Sequence, residues 1–423
     1  MHILFISENF PPETNAAATR VFERARYWVK WGHQVTVLTQ APNFPQGRLH
    51  EGYRNRWRQI EDMEGIRVVR VKTFIAANRG TALRTLDFLS FMVTAVLFGL
   101  FERKPDVIAA TSPQFFSAVA GWVLGFSRQV PFVFELGDLW PASIAAVGAM
   151  KNSLALRSME LLELFLYRRS VAIVALTQSF KNDLTRRGIP DGKIAVVING
   201  VDLWRYHPQD RDPDLATEWN LTDKFVVGYV GTHGMAHGLG NILDTAERLH
   251  GETGLRFLLA GDGAERESLM AQAQERGLDN VVFMPPQPKE RMPAVWSLCD
   301  VALVHLRDSP VFAGVIPSKI FEAMGMGLPV LLAAPEGEAS QIVMDGGVGV
   351  HVPPGEPAAL ADAVRSLMLD KGATRALAET SLAAAVRHGR DHQARHMIAV
   401  LEQVVAGQGS RAAEAMPNSV DQP

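Results

Sequence analysis

Residues Lys224–Leu249 read "KFVVGYVGTHGMAHGLGNILDTAERL". A short Val-rich run stops at Gly231, a glycine-rich turn follows, and a helical pattern opens near Gly238–Asn241. Glycines at 228, 231, 234, 238 and 240 surround the turn. Without side chains, backbone can approach a phosphate closely, and a helix N-terminus offers free N–H groups with a favourable dipole. The spacing is related to the dinucleotide fingerprint without being a clean Gly-x-Gly-x-x-Gly, so an ordinary tight strand-to-helix turn explains it equally well. Gly231, Thr232, His233, Gly234 and His237 are the phosphate candidates here, although a lone histidine is more often a surface residue.

Working outward, the same design recurs. "RFLLAGDG" (256–263), "NVVFMPP" (280–286), "DVALVHL" (300–306), "LPVLLAA" (328–334) and "GVGVHVPP" (347–354) follow, with helical patterns between them. Upstream lies another series: "HILFISENF" from residue 2, "HQVTVLTQ", "GIRVVRVKT", "DVIAATS", "PFVFELGD", "SVAIVALT" and "KIAVVING" ending at Gly200. "AATRVFERARYWVKWG" between the first two is an amphipathic helix ending at Gly32. Short Val/Ile-rich runs separated by helices indicate parallel strands buried on both faces. The polar stretch "NGVDLWRYHPQDRDPD" (199–214) divides the two series. The expected fold is therefore α/β, with two doubly wound domains facing across a cleft. The first spans 1–205 and the second 206–384; a C-terminal helix near 385–405 rejoins the first, and 406–423 is a disordered tail. Ligands of such sheets bind outside the carboxyl ends of the strands.

Composition narrows the class. A chain of 423 residues is long enough for two or three cores, and its formal charge of −3 argues against a nucleic-acid binder. Cys299 is the only cysteine, which excludes an internal disulfide and a cysteine zinc site and fits a reducing, cytoplasmic compartment. "MHILFISENF" reads as a strand and not as a signal peptide. Arg54, Arg56, Arg58, Arg67 and Arg70 crowd one region, either as a solvated basic face or as an attraction to an anionic membrane. Phe88–Phe101 is an uncharged run of 14 residues, too short to span a bilayer at about 20 residues. It is either core or a monotopic surface in which Phe88, Phe91, Phe98 and Phe101 dip into the interface beside Arg84, Arg103 and Lys104. Val107–Ser127 is split by Pro113 into a strand and a helix.

Two further stretches carry chemistry. In "LLAGDGAERESL" (258–269), Asp262 is placed to cap a helix and Arg266 to pair with phosphate oxygens. In "GVIPSKIFEAMGMGLPVL" (314–331), Pro317 and Ser318 fit a helix start, and Lys319 lies in the first turn, where the dipole disfavours a cation. Glu322 is three residues on, on the same face. A Lys for phosphate and a carboxylate for ribose hydroxyls suit a nucleoside diphosphate; an intrahelical Lys–Glu pair is the plain alternative. No cluster with metal-ligand spacing is present, and Asp212-Pro213-Asp214 reads as a turn.

"PSKIFEAMGMGLPVL", "YVGTHGMAHGLGNIL", "AGDGAERESL", "VINGVD" and "FPPETNAAATRVFERARYWVKWGHQVTVLT" together resemble the GT-B, GT4-type retaining glycosyltransferases. Within them the chain is similar to the subgroup acting on bacterial surface polysaccharides, including fucosamine transferases of the WbuB kind. The resemblance covers roughly residues 1–405. It implies two Rossmann-like domains and a nucleotide-sugar donor, UDP-linked, held mainly by the second, with no metal or cofactor. By motif, Glu322 holds the ribose, Ser318 and Lys319 the diphosphate, and Thr232, His233 and Gly234 the phosphate turn. Gly314, Val315, Ile316 and Pro317 line the donor, with Arg266 beside it. On the first domain the resemblance places Asn15, Ala16 and Arg20 on the acceptor side. Asp138 orients or deprotonates the acceptor hydroxyl, with Glu135 as its rival. The implied acceptor is a polyprenyl diphosphate-linked sugar at the inner face of the membrane.

Three departures stand out. The family's Glu-x₇-Glu pattern has Gly314 in place of its first Glu; the phosphate turn has Thr232 and His237 where Arg and Lys are usual; and Asn15-Ala16 replaces a glycine pair. The cation that meets the phosphates is then Lys319, Arg266 or a histidine. A nucleotide-sugar epimerase and a non-catalytic two-domain binding protein share the architecture. A dinucleotide oxidoreductase lacks the acidic residue expected about 20 positions after its glycine turn.

Overall fold

The computed structural model describes residues 1–44, 47–76, 81–112, 115–139 and 154–414. They form two compact units, one from 1–139, 154–198 and 393–414, the other from 199–392.

The first unit is built on an eight-stranded sheet of β1 (His2–Ile6), β2 (Gln34–Gln40), β3 (Arg58–Met63), β4 (Ile66–Val71), β5 (Val107–Thr111), β6 (Phe132–Leu136), β7 (Ala172–Ala175) and β8 (Ile194–Val196). Their order is β3-β4-β2-β1-β5-β6-β7-β8, parallel throughout except for β3 against β4. β1, β5 and β6 are buried at every position, which is why they read as unbroken apolar runs. The helix Ala16–Lys30 presses Val21, Ala25 and Trp28 onto Ile3, Phe5, Val35 and Val37.

The helix Arg390–Glu414 adds Ala394, Met397, Ile398 and Leu401 to that core, and Trp28 Nε1 donates to the Ala394 carbonyl at 2.9 Å. This helix runs through Gly407 to Glu414, into the stretch 406–423 that the sequence reads as a disordered tail. A single glycine costs a helix only about 1 kcal/mol, less than the docked turns before it contribute. Residues 415–423 lie outside the described region.

Sequence reading missed β3. It is one arm of a hairpin whose two-residue turn, Glu64 and Gly65, has positive φ at both positions (55° and 82°). The alternation of "RQIEDM" before "EG" is the available signal. The hairpin also accounts for much of the basic cluster. Arg70 is buried and bonded to Glu61 (2.5 Å) and the Gln40 carbonyl (3.0 Å), while Arg58 and Arg67 both pair with the buried Glu102.

The second unit carries six strands: β9 (Phe225–Val230), β10 (Leu255–Ala260), β11 (Val281–Met284), β12 (Val301–His305), β13 (Val330–Ala333) and β14 (Gly349–Val352). All are parallel, in the order β11-β10-β9-β12-β13-β14. β9 and β12 are neighbours without being consecutive, so the crevice at their carboxyl ends is this sheet's topological switch point. Gly228, counted from sequence with the turn, is instead mid-strand in β9. A Cβ there would stand 2.2 Å from Cys299 Sγ, so this glycine makes room for the buried cysteine.

Candidate functional site

The turn after β9 is fastened to the turn after β10 by backbone hydrogen bonds. Gly231 N–H donates to the Ala260 carbonyl (2.9 Å), His233 N–H to Asp262 (2.8 Å), and Glu265 N–H to His233 (2.9 Å). The contact leaves no space for side chains. A Cβ on Gly261 would lie 1.9 Å from the Gly231 oxygen, and one on Gly263 would lie 2.4 Å from the His233 oxygen. Gly231 and Gly261 both have left-handed φ, 145° and 143°. The two glycine turns found separately in the sequence are thus one wall.

Lys319 opens the helix Lys319–Gly325 and reaches under this wall. It is only 8% exposed, and its Nζ lies 3.8 Å from the centroid of the Tyr229 ring. A Cβ on Gly231 would stand 2.9 Å from the same Nζ. The ammonium makes no hydrogen bond. Burial lowers its pKa from 10.5 to about 7, against the opposing charge of Glu322. A cation held on an aromatic face with its donors unsaturated is built to meet an anion.

His233 is fully buried, with neither ring nitrogen hydrogen-bonded. Burial, together with Arg266 and Lys319, lowers its pKa to about 4. His237 is lowered to about 3, by burial first and then Lys319; its ring approaches the His305 carbonyl at 3.3 Å, and His305 Nδ1 approaches the His237 carbonyl at 2.6 Å. Neutral rings are poor suppliers of a cation, whereas Lys319 and Arg266 are cationic side chains at this wall. Thr232 is exposed, and its carbonyl accepts from Tyr229 Oη at 2.7 Å.

Glu322 lies one turn along the same helix, and its Oε2 accepts from Trp296 Nε1 at 3.3 Å. Ser318 is the helix N-cap and makes no side-chain capping bond. Gly314 closes the 3₁₀ turn Pro310–Gly314, and Val315, Ile316 and Pro317 connect it to Ser318. Arg266 starts the helix Arg266–Glu275 and donates through Nε to the Gly261 carbonyl at 3.1 Å, which pins it to the wall. Asp262 is not that helix's cap: Glu265 holds the cap position, and Asp262 Oδ1 accepts from Gly263 N–H at 2.8 Å. Tyr229 and Trp296, which seat the lysine and the glutamate, went unnoticed in the sequence. The only available signal for Tyr229 is its place two residues before Gly231.

In the first unit, Glu135 is fully buried near the end of β6, bonded to Arg24 at 2.5 Å and Arg20 at 3.3 Å. Burial favours its protonation, but Arg24 and Arg20 together bring its pKa down to about 2. A carboxylate so held is an anchor for two guanidinium groups and a poor proton acceptor, which removes it as Asp138's rival. Arg20 NH2 also donates to Thr111 Oγ1 at 3.1 Å. Asn15 caps the first helix, its Oδ1 accepting from Ala18 N–H at 2.9 Å, while Ala16 is exposed. Asp138 sits half-buried on the bend after β6; Trp140 and Pro141 of the same motif lie outside the described residues. Among the described residues, no three His, Cys, Asp or Glu side chains group to hold a metal ion.

Comparison with known proteins places families on both units. Residues 15–200 match the glycosyl transferase 4-like domain, and residues 213–382 match the glycosyl transferases group 1. The chain is 28% identical over 381 residues to the putative colanic acid biosynthesis glycosyl transferase WcaI of Escherichia coli K12, covering 87% of this chain and 92% of that protein. Sucrose-phosphate synthase from Thermosynechococcus elongatus shares the fold with a TM-score of 0.76 at 18% identity, over 96% of this chain and 99% of its own. Anabaena HepE in complex with UDP-glucose does so with a TM-score of 0.70 at 20% identity, over 95% of this chain and 100% of its own. Both domains are thus Rossmann-like parallel-sheet units of the GT-B kind.

Proposed function

We propose, on the premise that this chain is a glycosyltransferase of group 1 with a 4-like first domain, that it moves a sugar from a nucleoside diphosphate-sugar to an acceptor hydroxyl with retention at the anomeric carbon. The carrying observation is Lys319, a buried ammonium with no hydrogen bond beneath a glycine turn. Cleavage of the donor leaves negative charge on the β-phosphate, and a fixed cation in a poorly solvated site stabilises that charge as it develops. Glu322, steadied by Trp296, accepts the ribose hydroxyls. Asp138 orients the acceptor hydroxyl. No metal is needed in this scheme, so turnover is expected to survive a chelator.

UDP is the proposed nucleotide, supported by HepE's complex with UDP-glucose. The donor is a hexose or N-acetylaminosugar, fucosamine-type sugars included. The acceptor is a lipid-linked sugar in bacterial surface polysaccharide assembly, a reading supported by the similarity to WcaI. Thermal shift across UDP- and GDP-sugars, followed by product analysis with and without acceptor, identifies the donor and separates transfer from epimerisation. Lys319→Ala and Glu322→Ala test the donor site; near-normal turnover in both would remove it.

A further inference from the structure

Among the described residues of its unit, one apolar face of the helix Thr81–Gly99 and of the turn that follows it has no partner. Leu83, Leu86, Val93, Leu97, Leu100 and Phe101 are all exposed, Phe101 at 74%. At 100° per residue they fall within about one third of the helix circumference. The adjoining face packs inward through Asp87, Phe91, Thr94 and Ala95. This corrects the sequence expectation: Phe91 is core and Phe88 lies under the Arg84 guanidinium at 4.7 Å, so leucines, Val93 and Phe101 form the outer stripe.

The stripe continues onto the neighbouring helix Phe115–Arg128. Arg128 donates to the Gly99 carbonyl at 2.9 Å, so the C-terminal turns of the two helices lie side by side, and Phe126 there is 79% exposed. The charges flanking this surface are mainly positive. Arg103 and Lys104 are exposed just beyond Phe101, with Arg128 beside them. Two nearby acids are withdrawn, Asp87 buried against Arg84 and Glu102 buried against Arg58 and Arg67, while the exposed Asp106 accepts from the His2 N–H at 2.6 Å.

We infer that this face rests on an anionic lipid bilayer, with the stripe in the acyl boundary and Arg103, Lys104 and Arg128 among the headgroups. A second copy of the chain fits less well, because a two-fold contact through this face sets cations against cations. A soluble monomer rarely leaves so continuous an apolar strip open. The inference deepens the lipid-linked acceptor reading and rests on it for its purpose. Arg84 and Asp87 lie close enough to Glu8, two residues past β1, to act on its carboxyl group. The stripe therefore begins beside the carboxyl end of the first sheet, where ligands of such sheets bind.

Flotation of the full chain with phosphatidylcholine vesicles, with and without one third phosphatidylglycerol, tests this. Wild type is expected to float with the anionic vesicles, less so at high salt, and about tenfold less with the neutral ones. Val93→Glu and Leu97→Glu are expected to lower binding about tenfold or more. Leu369→Glu, at an exposed site in the second unit, leaves it unchanged. Stabilisation by UDP in every variant reports that folding and the donor site persist, so failure here is distinct from failure of the donor assignment. The inference falls if wild type does not float, if the two stripe variants bind like wild type, or if sedimentation shows a lipid-free dimer that those variants split.

Discussion

Lys319 Nζ sits 3.8 Å from the centre of the Tyr229 ring, under Gly231, where an added Cβ would come within 2.9 Å of it. The two residues are 90 positions apart in the chain, and neither explains itself alone. The ring lowers the cost of burying the cation without neutralising it, so the charge stays available to a ligand.

Replacement of Lys319 by Met separates binding from folding. Loss of a positioned charge at the leaving group is expected to lower kcat by about 10²–10³-fold. The same change removes a buried ammonium that has no hydrogen bond, so melting temperature without ligand is expected to hold or rise. Kinetics and thermal unfolding on one preparation check both.

Acidity of Lys319 sets a pH dependence with a definite sign. The folded-state pKa of about 7 lies below the unfolded 10.5, so between these values the unfolded chain holds more protons. Stability from this group therefore rises with pH through that window, and is lowest below about 7, where the buried amine is charged. Wild type should gain stability relative to Lys319→Met as pH increases across it. A bound diphosphate favours the charged amine, so UDP binding should take up a proton and weaken as pH rises above about 7. Calorimetry in buffers of different ionisation enthalpy measures the uptake, which Lys319→Met should abolish.

Alanine substitutions rank the two glycines of the wall. Gly261→Ala drives a Cβ to 1.9 Å from the Gly231 oxygen, a backbone atom that cannot step aside. It is expected to destabilise the second domain by more than about 2 kcal/mol. Gly231→Ala meets the tip of a flexible lysine at 2.9 Å, so although its φ also strains, its larger effect should be on UDP affinity. Urea unfolding and ligand titration distinguish the two.

Glu135→Gln tests the anchor assignment. It leaves Arg20 and Arg24 short of a charge in a buried site, with an expected loss of about 3–5 kcal/mol near neutral pH. Because the carboxyl titrates at about 2 in the fold against 4.5 unfolded, its contribution is present above about 4.5 and is lost as pH falls towards about 2. The gap between mutant and wild type in denaturant midpoint should narrow over that range.

What the linear chain determined is everything carried by near neighbours. Strand and helix alternation, the two series of strands and the shared face of Lys319 and Glu322 follow from periods of two and three to four residues. Tertiary structure alone decided how each of these charges is desolvated and paired. Glu135 is paired with Arg20, 115 positions away, burial lowers the pKa values of the histidines, and Lys319 lies on a ring supplied by another strand. It also decided which apolar residues of 83–101 face outward, since that depends on what packs against the helix and not on how apolar the helix is. Local pattern sets conformation; desolvation and pairing, which set reactivity, depend on residues that only folding brings together.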